Sequence, residues 1–348
     1  MGIGRSLLLA ASKSAFLNER ATRTSFVRRA VKAFMPGETV EDALLAAEAF
    51  AGTGRGTIFT QLGENLTRLD EASAVREHYM RLFDQIKARG LPNAHVSVKP
   101  TQLGLDLSAV KCAEHVDALA AKAQATGSFL WIDMEDSSYV DRTLALYTAI
   151  KTKYDCTGLA MQAYLRRTPG DMETLFAVKP VIRLVKGAYA EPPHVAFPVK
   201  RDTDLAYYDL GVRMLQRAAK GECTAIFGTH DVPMIDRLIA RARELHVADG
   251  AYQIHMLYGI RDAEQRRYRA DGRSVKTLIS YGSSWFKWYM RRLAERPANV
   301  WFVIRKPVGE PSRVASSLSE YCVLAMQTGV SPIPLASRYV MLRSAAAE

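Results

Sequence analysis

The chain has 348 residues, 48% hydrophobic and 24% charged, a balance that excludes collagen-like, disordered and disulfide-scaffold proteins. That length fits either one large α/β barrel or about two domains of ordinary size. Lys and Arg total 47 against 36 Asp and Glu, a net charge of +11, which suits an anionic partner such as a phosphate, a lipid headgroup or a small anionic substrate without choosing among them.

At the N-terminus, MGIGRSLLLAASKSAFLNER has one basic residue, Arg5, before the short apolar run LLLAA, which is too brief for the core of a signal peptide and argues against export. MGIGRS also fits a myristoylation pattern, but a six-residue pattern recurs by chance, and an amphipathic helix is the better reading. Residues 1–55 are read as a helical lead-in, with a capping-type start at Glu38-Thr39 in MPGETVEDALLAAEAF. GTGRG at 52–56 precedes a strand and lacks the GxGxxG spacing, so it is a turn rather than a dinucleotide fingerprint.

From residue 56 one phrase repeats: a short apolar or β-branched run that closes on polar residues, then a longer amphipathic stretch. The runs are TIFTQLGE from 57, HVSVKP from 95, FLWIDMED from 129, LAMQAYL from 159, VIRLVKGAY from 181, TAIFGTHD from 224, YQIHMLYG from 252 and VKTLISYG from 275. Strands that alternate with helices imply βαβ units and a parallel sheet, because a parallel return needs a crossover long enough to hold a helix. Eight units over about 230 residues predict a closed (β/α)8 barrel of the TIM type, with an N-terminal helical extension, rather than an open sheet. The helix after the first strand, LDEASAVREHYMRLFDQIKARG, opens on acidic residues, closes on basic ones and is expected to use Gly90 as its cap. The domain reading is 1–55 as the helical lead-in, 56–305 as the barrel and 306–348 as a helical tail.

A barrel of this kind builds its site at the C-terminal ends of its strands. The residues that close the runs are Lys99, Asp133 and Glu135, Gln162 and Arg166, Arg183 and Lys186, then Thr229, His230 and Asp231. Charged residues inside strand-like runs are seldom buried without a partner, and Arg183 between Ile182 and Leu184 is the sharpest case. An internal ion pair such as Lys99 with Asp133 explains any one of them. Several on one rim favour an anion-binding site. In RLVKGAY, Gly187 and Ala188 let backbone approach a phosphate while Lys186 supplies charge. THD at 229–231 has no second His at ligand spacing, so a helix cap with polar contacts to a cofactor outranks a metal site. His255 reads as a satisfied barrel residue. Arg291 and Arg292 are adjacent on a predicted helix; paired guanidinium forks suit a carboxylate, and a solvated basic face paired to Glu295 is the competing reading. Cys112, Cys156, Cys223 and Cys322 form no CxxC pair and are read as small apolar fillers in a reducing compartment. With no stretch approaching a membrane span, the expected location is cytoplasmic.

Taken together, FMPGE at 34, VSVKPTQLG at 96, DMED at 133, QAYLRRT at 162, RLVKGAY at 183, THD at 229, MLYGIR at 256 and YMRRLAERPANV at 289 resemble the proline dehydrogenase family of flavoenzymes, in particular its monofunctional bacterial type, over roughly residues 30–305. The resemblance implies a distorted (β/α)8 barrel that holds FAD noncovalently, oxidises L-proline to 1-pyrroline-5-carboxylate and passes electrons to membrane quinone. It implies that Lys99, Arg291 and Arg292 clamp the proline carboxylate, with Glu295 beside the Arg pair. It further implies that Asp133 is the active-site carboxylate, that Arg183 lies near flavin N5, that Gln162, Lys186, Gly187, Ala188, Thr229 and His230 contact FAD, and that Ala188, Tyr189, Leu257 and Tyr258 lie near the substrate ring or flavin edge. A separate pyrroline-5-carboxylate dehydrogenase would take the product, and the enzyme would touch the inner face of the cytoplasmic membrane peripherally.

Two departures stand out. Leu278 occupies a position where many family members carry a Tyr over the proline ring, and Gln253 and His255 replace the usual Glu and Gln. Either the ring pocket is looser toward 4-hydroxyproline, or Tyr281 covers the ring instead. The rival enzyme class is a Schiff-base lyase using Lys99 or Lys186. A nucleic-acid-binding role is disfavoured because the basic residues are dispersed and no such motif occurs.

Overall fold

In the computed structural model, residues 31, 33–63 and 66–285 are described. They form eight strands, β1 (Gly56–Gln61), β2 (Ala94–Val98), β3 (Leu130–Ile132), β4 (Thr157–Gln162), β5 (Val181–Val185), β6 (Thr224–Gly228), β7 (Tyr252–Leu257) and β8 (Val275–Tyr281). Every neighbouring pair is parallel, and β8 closes on β1 from Gly56 beside Lys276 to Gln61 beside Tyr281. The expected closed (β/α)8 barrel is therefore what the chain forms. The longer helices are α1 (Val40–Ala51), α2 (Leu69–Ala88), α3 (Ala109–Thr126), α4 (Val140–Lys151), α5 (Thr168–Leu175), α6 (Lys200–Ala218), α7 (Val232–Glu244) and α8 (Asp262–Ala270).

Local sequence accounts for the boundaries. Thr39 caps α1 reciprocally: its hydroxyl accepts from the Asp42 N–H at 3.1 Å, and the Asp42 carboxylate accepts from the Thr39 N–H at 3.0 Å. On α2, Ala72, Tyr79, Leu82, Phe83 and Ile86 are buried, one stripe at helical spacing. Its cap is Arg89 rather than Gly90, which follows in the left-handed conformation at φ 60° and lets the chain turn away. GTGRG is a turn as expected: Gly54 is left-handed at φ 70°, and buried Arg55 pairs with Asp262 at 2.6 Å. Cys112 and Cys223 are buried fillers, and burial raises both thiols to about 12. Cys322 and the segments 1–30 and 306–348 lie outside the described residues. Among the described residues, no helix is long and apolar enough to cross a membrane.

Strand alternation sorts side chains into two cores. Outward residues such as Val96, Val98, Leu159, Met161, Ile182 and Leu184 pack in the main apolar core. Inside the barrel, Ile58, Trp131 and Ile226 form a second cluster with Phe129, Val181 and Leu278. Trp131 fits because its neighbour across the β3–β4 register is Gly158, where a Cβ would fall 2.5 Å from the indole ring.

The interior is also polar. The Trp131 indole N–H donates to His95 Nδ1 at 3.1 Å, His255 Nε2 lies 3.4 Å from Gln253 Oε1, and Lys276 Nζ donates to the Asn93 carbonyl at 3.2 Å. Burial, followed by the charges of Lys276 and Arg183, holds His95 well below the ordinary imidazole value. Burial and the same two cations do likewise for His255. Both rings are therefore neutral at physiological pH. His255 is less satisfied than its sequence reading supposed, since its Nδ1 has no hydrogen-bond partner among the described residues.

Burial alone pushes the Lys276 amine down to about 8 from an ordinary value of 10.5. Between these values the unfolded chain binds more protons than the folded one, so this group makes stability rise with pH from 8 to 10.5 and costs stability below 8. Lys276→Met should therefore stabilise the protein at pH 7 by roughly 1–3 kcal/mol and flatten the pH dependence above 8. Denaturant unfolding at pH 7 and pH 10 checks this; an unchanged slope would show that the amine stays hydrated.

Candidate active site

The C-terminal rim gathers the polar residues. At its centre, the Arg183 guanidinium on β5 is 4% exposed and meets Asp133, just past β3, through Nη2. The same Nη2 donates to the Ser97 hydroxyl on β2 at 3.0 Å, Ser97 in turn donates to Asp133 at 2.9 Å, and the guanidinium carbon lies 4.8 Å from the centre of the Trp131 ring. Burial pulls the Arg183 pKa down and Asp133 pushes it back up, so the pair keeps a charged guanidinium inside the barrel. The Arg183 Nη1 has no partner among the described residues. Asp133 is thus paired with Arg183, not with Lys99 as the simplest ion-pair reading had it. Ser97 and Trp131 are site residues that the search of strand ends missed. Both lie on the inward parity of their strands, one step below the rim, and that parity was the available signal.

Lys99 follows β2 directly and is half-buried. It makes no ion pair with a described residue, although its charge acts on Glu135. Burial raises the Glu135 carboxyl despite that charge and despite two bonds from Thr101, its N–H at 3.0 Å and its hydroxyl at 2.6 Å.

Gln162 ends β4 with its amide donating to the Glu135 carbonyl at 3.0 Å, which leaves a buried Oε1 with no partner among the described residues. Next to it the β5 exit turns at Gly187, φ 115°, where a Cβ would fall 2.2 Å from the Tyr164 ring. No other residue fits there, because the Tyr164 ring packs directly on the Gly187 backbone. Lys186 is more encumbered than its sequence reading allowed. It bonds Asp204 on α6 and reaches Asp231 at 2.6 Å; burial would lower its pKa, but the two carboxylates outweigh burial and raise it. A protonated, twice-paired amine is a poor nucleophile, which removes the support for a Schiff-base lyase at Lys186.

The β6 exit behaves as THD suggested. Asp231 caps α7 and accepts from the Met234 N–H at 3.3 Å, while the Thr229 hydroxyl accepts from the Asp231 N–H at 3.2 Å. His230 Nε2 accepts from the Leu257 N–H at 2.9 Å, which ties the β6 and β7 exits together and places the proton of the neutral ring on Nδ1. Leu257 is half-buried on the rim beside Leu278 in the β7–β8 register.

Tyr281 is a correction. It faces out of the barrel, 1% exposed in the outer core, with its hydroxyl 2.7 Å from His78 Nε2 on α2. Its parity on β8 is opposite to that of Leu278, so it cannot cover a ligand at the mouth without breaking the strand. The inward position belongs to Leu278. Arg291, Arg292 and Glu295 lie outside the described residues. Among the described residues, no group of three or more His, Cys, Asp or Glu is placed to hold a metal ion.

The family model described as proline dehydrogenase matches residues 43–305. The chain belongs to this family. Proline dehydrogenase 1 of Bacillus subtilis (strain 168) is 34% identical over 295 residues, which covers 83% of this chain and 96% of that protein. The Proline dehydrogenase of Deinococcus radiodurans is 32% identical over 281 residues, 78% of this chain and 88% of that one. Among solved structures, proline utilization A from Bdellovibrio bacteriovorus, inactivated by N-propargylglycine, superposes with a TM-score of 0.73 over 85% of this chain at 22% identity. The chain spans 36% of that longer protein, and the match concerns the fold alone. The chain is therefore an enzyme of the proline dehydrogenase family.

The buried guanidinium makes the site a stability element as well. Asp133→Ala would leave the Arg183 charge inside the barrel with Ser97 and the Trp131 face but no countercharge, and should cost about 3–5 kcal/mol in denaturant unfolding. Asp133→Asn keeps an acceptor for Ser97 and should cost less. Equal stabilities for the two variants would mean that Arg183 relaxes to solvent.

Proposed function

We propose that this proline dehydrogenase is a FAD-dependent enzyme that oxidises L-proline to 1-pyrroline-5-carboxylate and delivers the electrons to membrane quinone, the first step in degrading proline to glutamate. The observation that carries the reading is the buried Arg183 fixed by Asp133 and Ser97 at the mouth of a proline dehydrogenase barrel.

The residues present fit a flavin. Gln162 Oε1 and Arg183 Nη1 are buried polar atoms with no partner among the described residues. Bound FAD supplies a two-electron acceptor, N5, for hydride from the proline carbon next to nitrogen. Gln162, Gly187 and Ala188 would hold the ring system, with Thr229 and His230 on the adjacent β6 exit. Lys186, already shared between Asp204 and Asp231, contributes position more than unspent charge. Arg183 would favour negative charge that develops on the ring, because Asp133 and Ser97 fix its orientation beforehand and no reorganisation is needed.

Proline is a small zwitterion, and its carboxylate is the one feature that a mouth lined with cations can grip strongly. Lys99, Arg291 and Arg292 would supply the clamp, with Glu295 steadying the Arg pair and Leu257 and Leu278 flanking the ring. In this reading Lys99 stays available to the substrate because Asp133 is occupied by Arg183. A separate pyrroline-5-carboxylate dehydrogenase would consume the product. The net charge of +11 fits peripheral contact of a cytoplasmic enzyme with the anionic face of the cytoplasmic membrane, where quinone is reduced; sedimentation with anionic vesicles tests that part alone.

Two measurements test the chemistry. Purified protein should be yellow, and anaerobic L-proline should bleach its flavin absorption; 4-hydroxyproline should bleach it more slowly, and a kcat/KM for hydroxyproline above that for proline would reassign the substrate. Arg292→Met should raise KM for proline by about two orders of magnitude with FAD retained, the scale of losing one bidentate charge-assisted contact. A KM near that of the parent enzyme would remove Arg292 from the clamp.

A further inference from the structure

An indole is a large group to place inside a narrow barrel, and neither the flavin nor the carboxylate clamp explains Trp131. Its own surroundings are built around it. Trp131 is 1% exposed and lies against the backbone of Gly158, its register neighbour on β4. On β2, His95 Nδ1 accepts the indole N–H at 3.1 Å, and the His95 ring is itself stacked on Phe129 with centroids 4.9 Å apart. From β7, His255 meets the indole edge to face, with centroids 5.2 Å apart and planes at 83°. Both imidazoles are held neutral, so they fix the indole without adding charge beside Arg183. A Trp held from three strands is a rigid surface, and the Arg183 guanidinium carbon lies 4.8 Å from the centre of its ring.

Arg183 needs such a surface. It bonds Asp133 and Ser97 through the same nitrogen, Nη2, while Nη1 has no partner among the described residues. Two hydrogen bonds from one nitrogen fix where that nitrogen sits, but they leave the guanidinium plane free to pivot about it. An aromatic face against the plane stops the pivot and attracts the cation through the negative face of the ring. It also keeps water off that side of the charge, and a charge without water acts on its neighbours more strongly.

We propose that Trp131 is a positioning residue for flavin reduction: its face holds the plane of the Arg183 guanidinium and keeps it dry, and so sets how strongly that charge favours the reduced cofactor over the oxidised one. The proposal rests on the placement of Arg183 beside the flavin ring. Without the indole, water fills the space beneath the guanidinium and the plane tilts, so the same charge stabilises added electrons less. Asp133 and Ser97 still pair with Arg183 in that case, which separates the part played by Trp131 from theirs.

The test is the two-electron midpoint potential of the flavin in the full-length enzyme, measured by spectroelectrochemical titration without proline. Trp131→Leu should lower the preference for reduced over oxidised flavin about 10-fold, a potential about 30 mV more negative. Trp131→Phe, which keeps a ring face, should stay within about 2-fold of the parent. Arg183→Met should lower the preference at least as far as Trp131→Leu, and Trp131→Leu/Arg183→Met should be no lower than Arg183→Met alone, as expected if the indole acts through the guanidinium. If Trp131→Leu does not fold, His95→Leu, which strands the indole N–H, should give about a 4-fold loss, and His95→Gln, whose amide oxygen can accept that N–H, should restore it. A parental potential in Trp131→Leu, or in His95→Leu where that variant stands in for it, with only the melting temperature lowered, would make the indole a core filler and overturn the proposal. So would a Trp131→Phe potential as low as that of Trp131→Leu, or additive losses in the double variant. An unchanged potential in Arg183→Met would instead remove Arg183 from the flavin, and the proposal with it.

Discussion

A guanidinium held out of water in the middle of a barrel is the constraint on which the rest of this site is arranged. Isolated, it would cost more than a domain of this size has in net stability. Asp133 supplies the countercharge, Ser97 accepts from one nitrogen while itself donating to Asp133, and the Trp131 face covers the plane of the cation. Each requirement propagates outward. Trp131 needs space inside the barrel, and Gly158 provides it by having no Cβ. Asp133 must lie past the end of β3, which is why that strand contributes only Leu130–Ile132 to the ladder. The loop after it then carries Glu135 to Thr101 and offers its carbonyl to Gln162. Three strand exits are thus set by one ion pair.

Below this pair the barrel interior is graded. Lys276, His95 and His255 are all desolvated, and the two imidazoles are held neutral, partly by the charges of Lys276 and Arg183. Repulsion among cations inside one barrel makes each further proton expensive, and Asp133 offsets it at the rim end. Two buried polar atoms with no partner among the described residues, Gln162 Oε1 and Arg183 Nη1, lie at this end, while others such as Arg273 Nε and Thr143 Oγ1 lie elsewhere.

The fold was legible because barrel strands repeat one physical requirement eight times: an apolar run that ends where water begins. Each observed strand starts within two residues of the run read from sequence: β1, β2 and β3 are shifted by one residue, β4 by two, and β5 to β8 start where the runs do. Rim residues were legible for the same reason, since Lys99, Asp133, Gln162, Arg183 and Lys186 all interrupt or terminate such runs. Pairing was not. Nothing in linear order distinguishes Lys99 from Arg183 as the partner of Asp133; barrel register decides it, and Ser97 enters only because β2 and β5 both aim a polar side chain at the same carboxylate. Tyr281 shows the converse. A resemblance fixes which residue types occur near an end of β8, but the parity of that strand decides which of them face in, and a shift of three residues from Leu278 to Tyr281 reverses the face.

The exits of the strands divide the work between rigidity and address. Exits of β3, β4 and β5 are fixed from within, by Arg183, Gln162 and the close fit at Gly187. Exits of β7 and β8 are fixed from without, by a strap that precedes the first strand and leans on Gly259 and Trp285. A closed barrel has no free sheet edge through which a terminal segment could join the ladder, so such a segment can influence the site only by lying across loops. Glycine at 259 is what permits that approach, and a capping box at Thr39 is what keeps the strap from fraying. The exits of β7 and β8 are therefore held by residues 33–38, which makes this segment before β1 part of the architecture of the barrel's C-terminal rim.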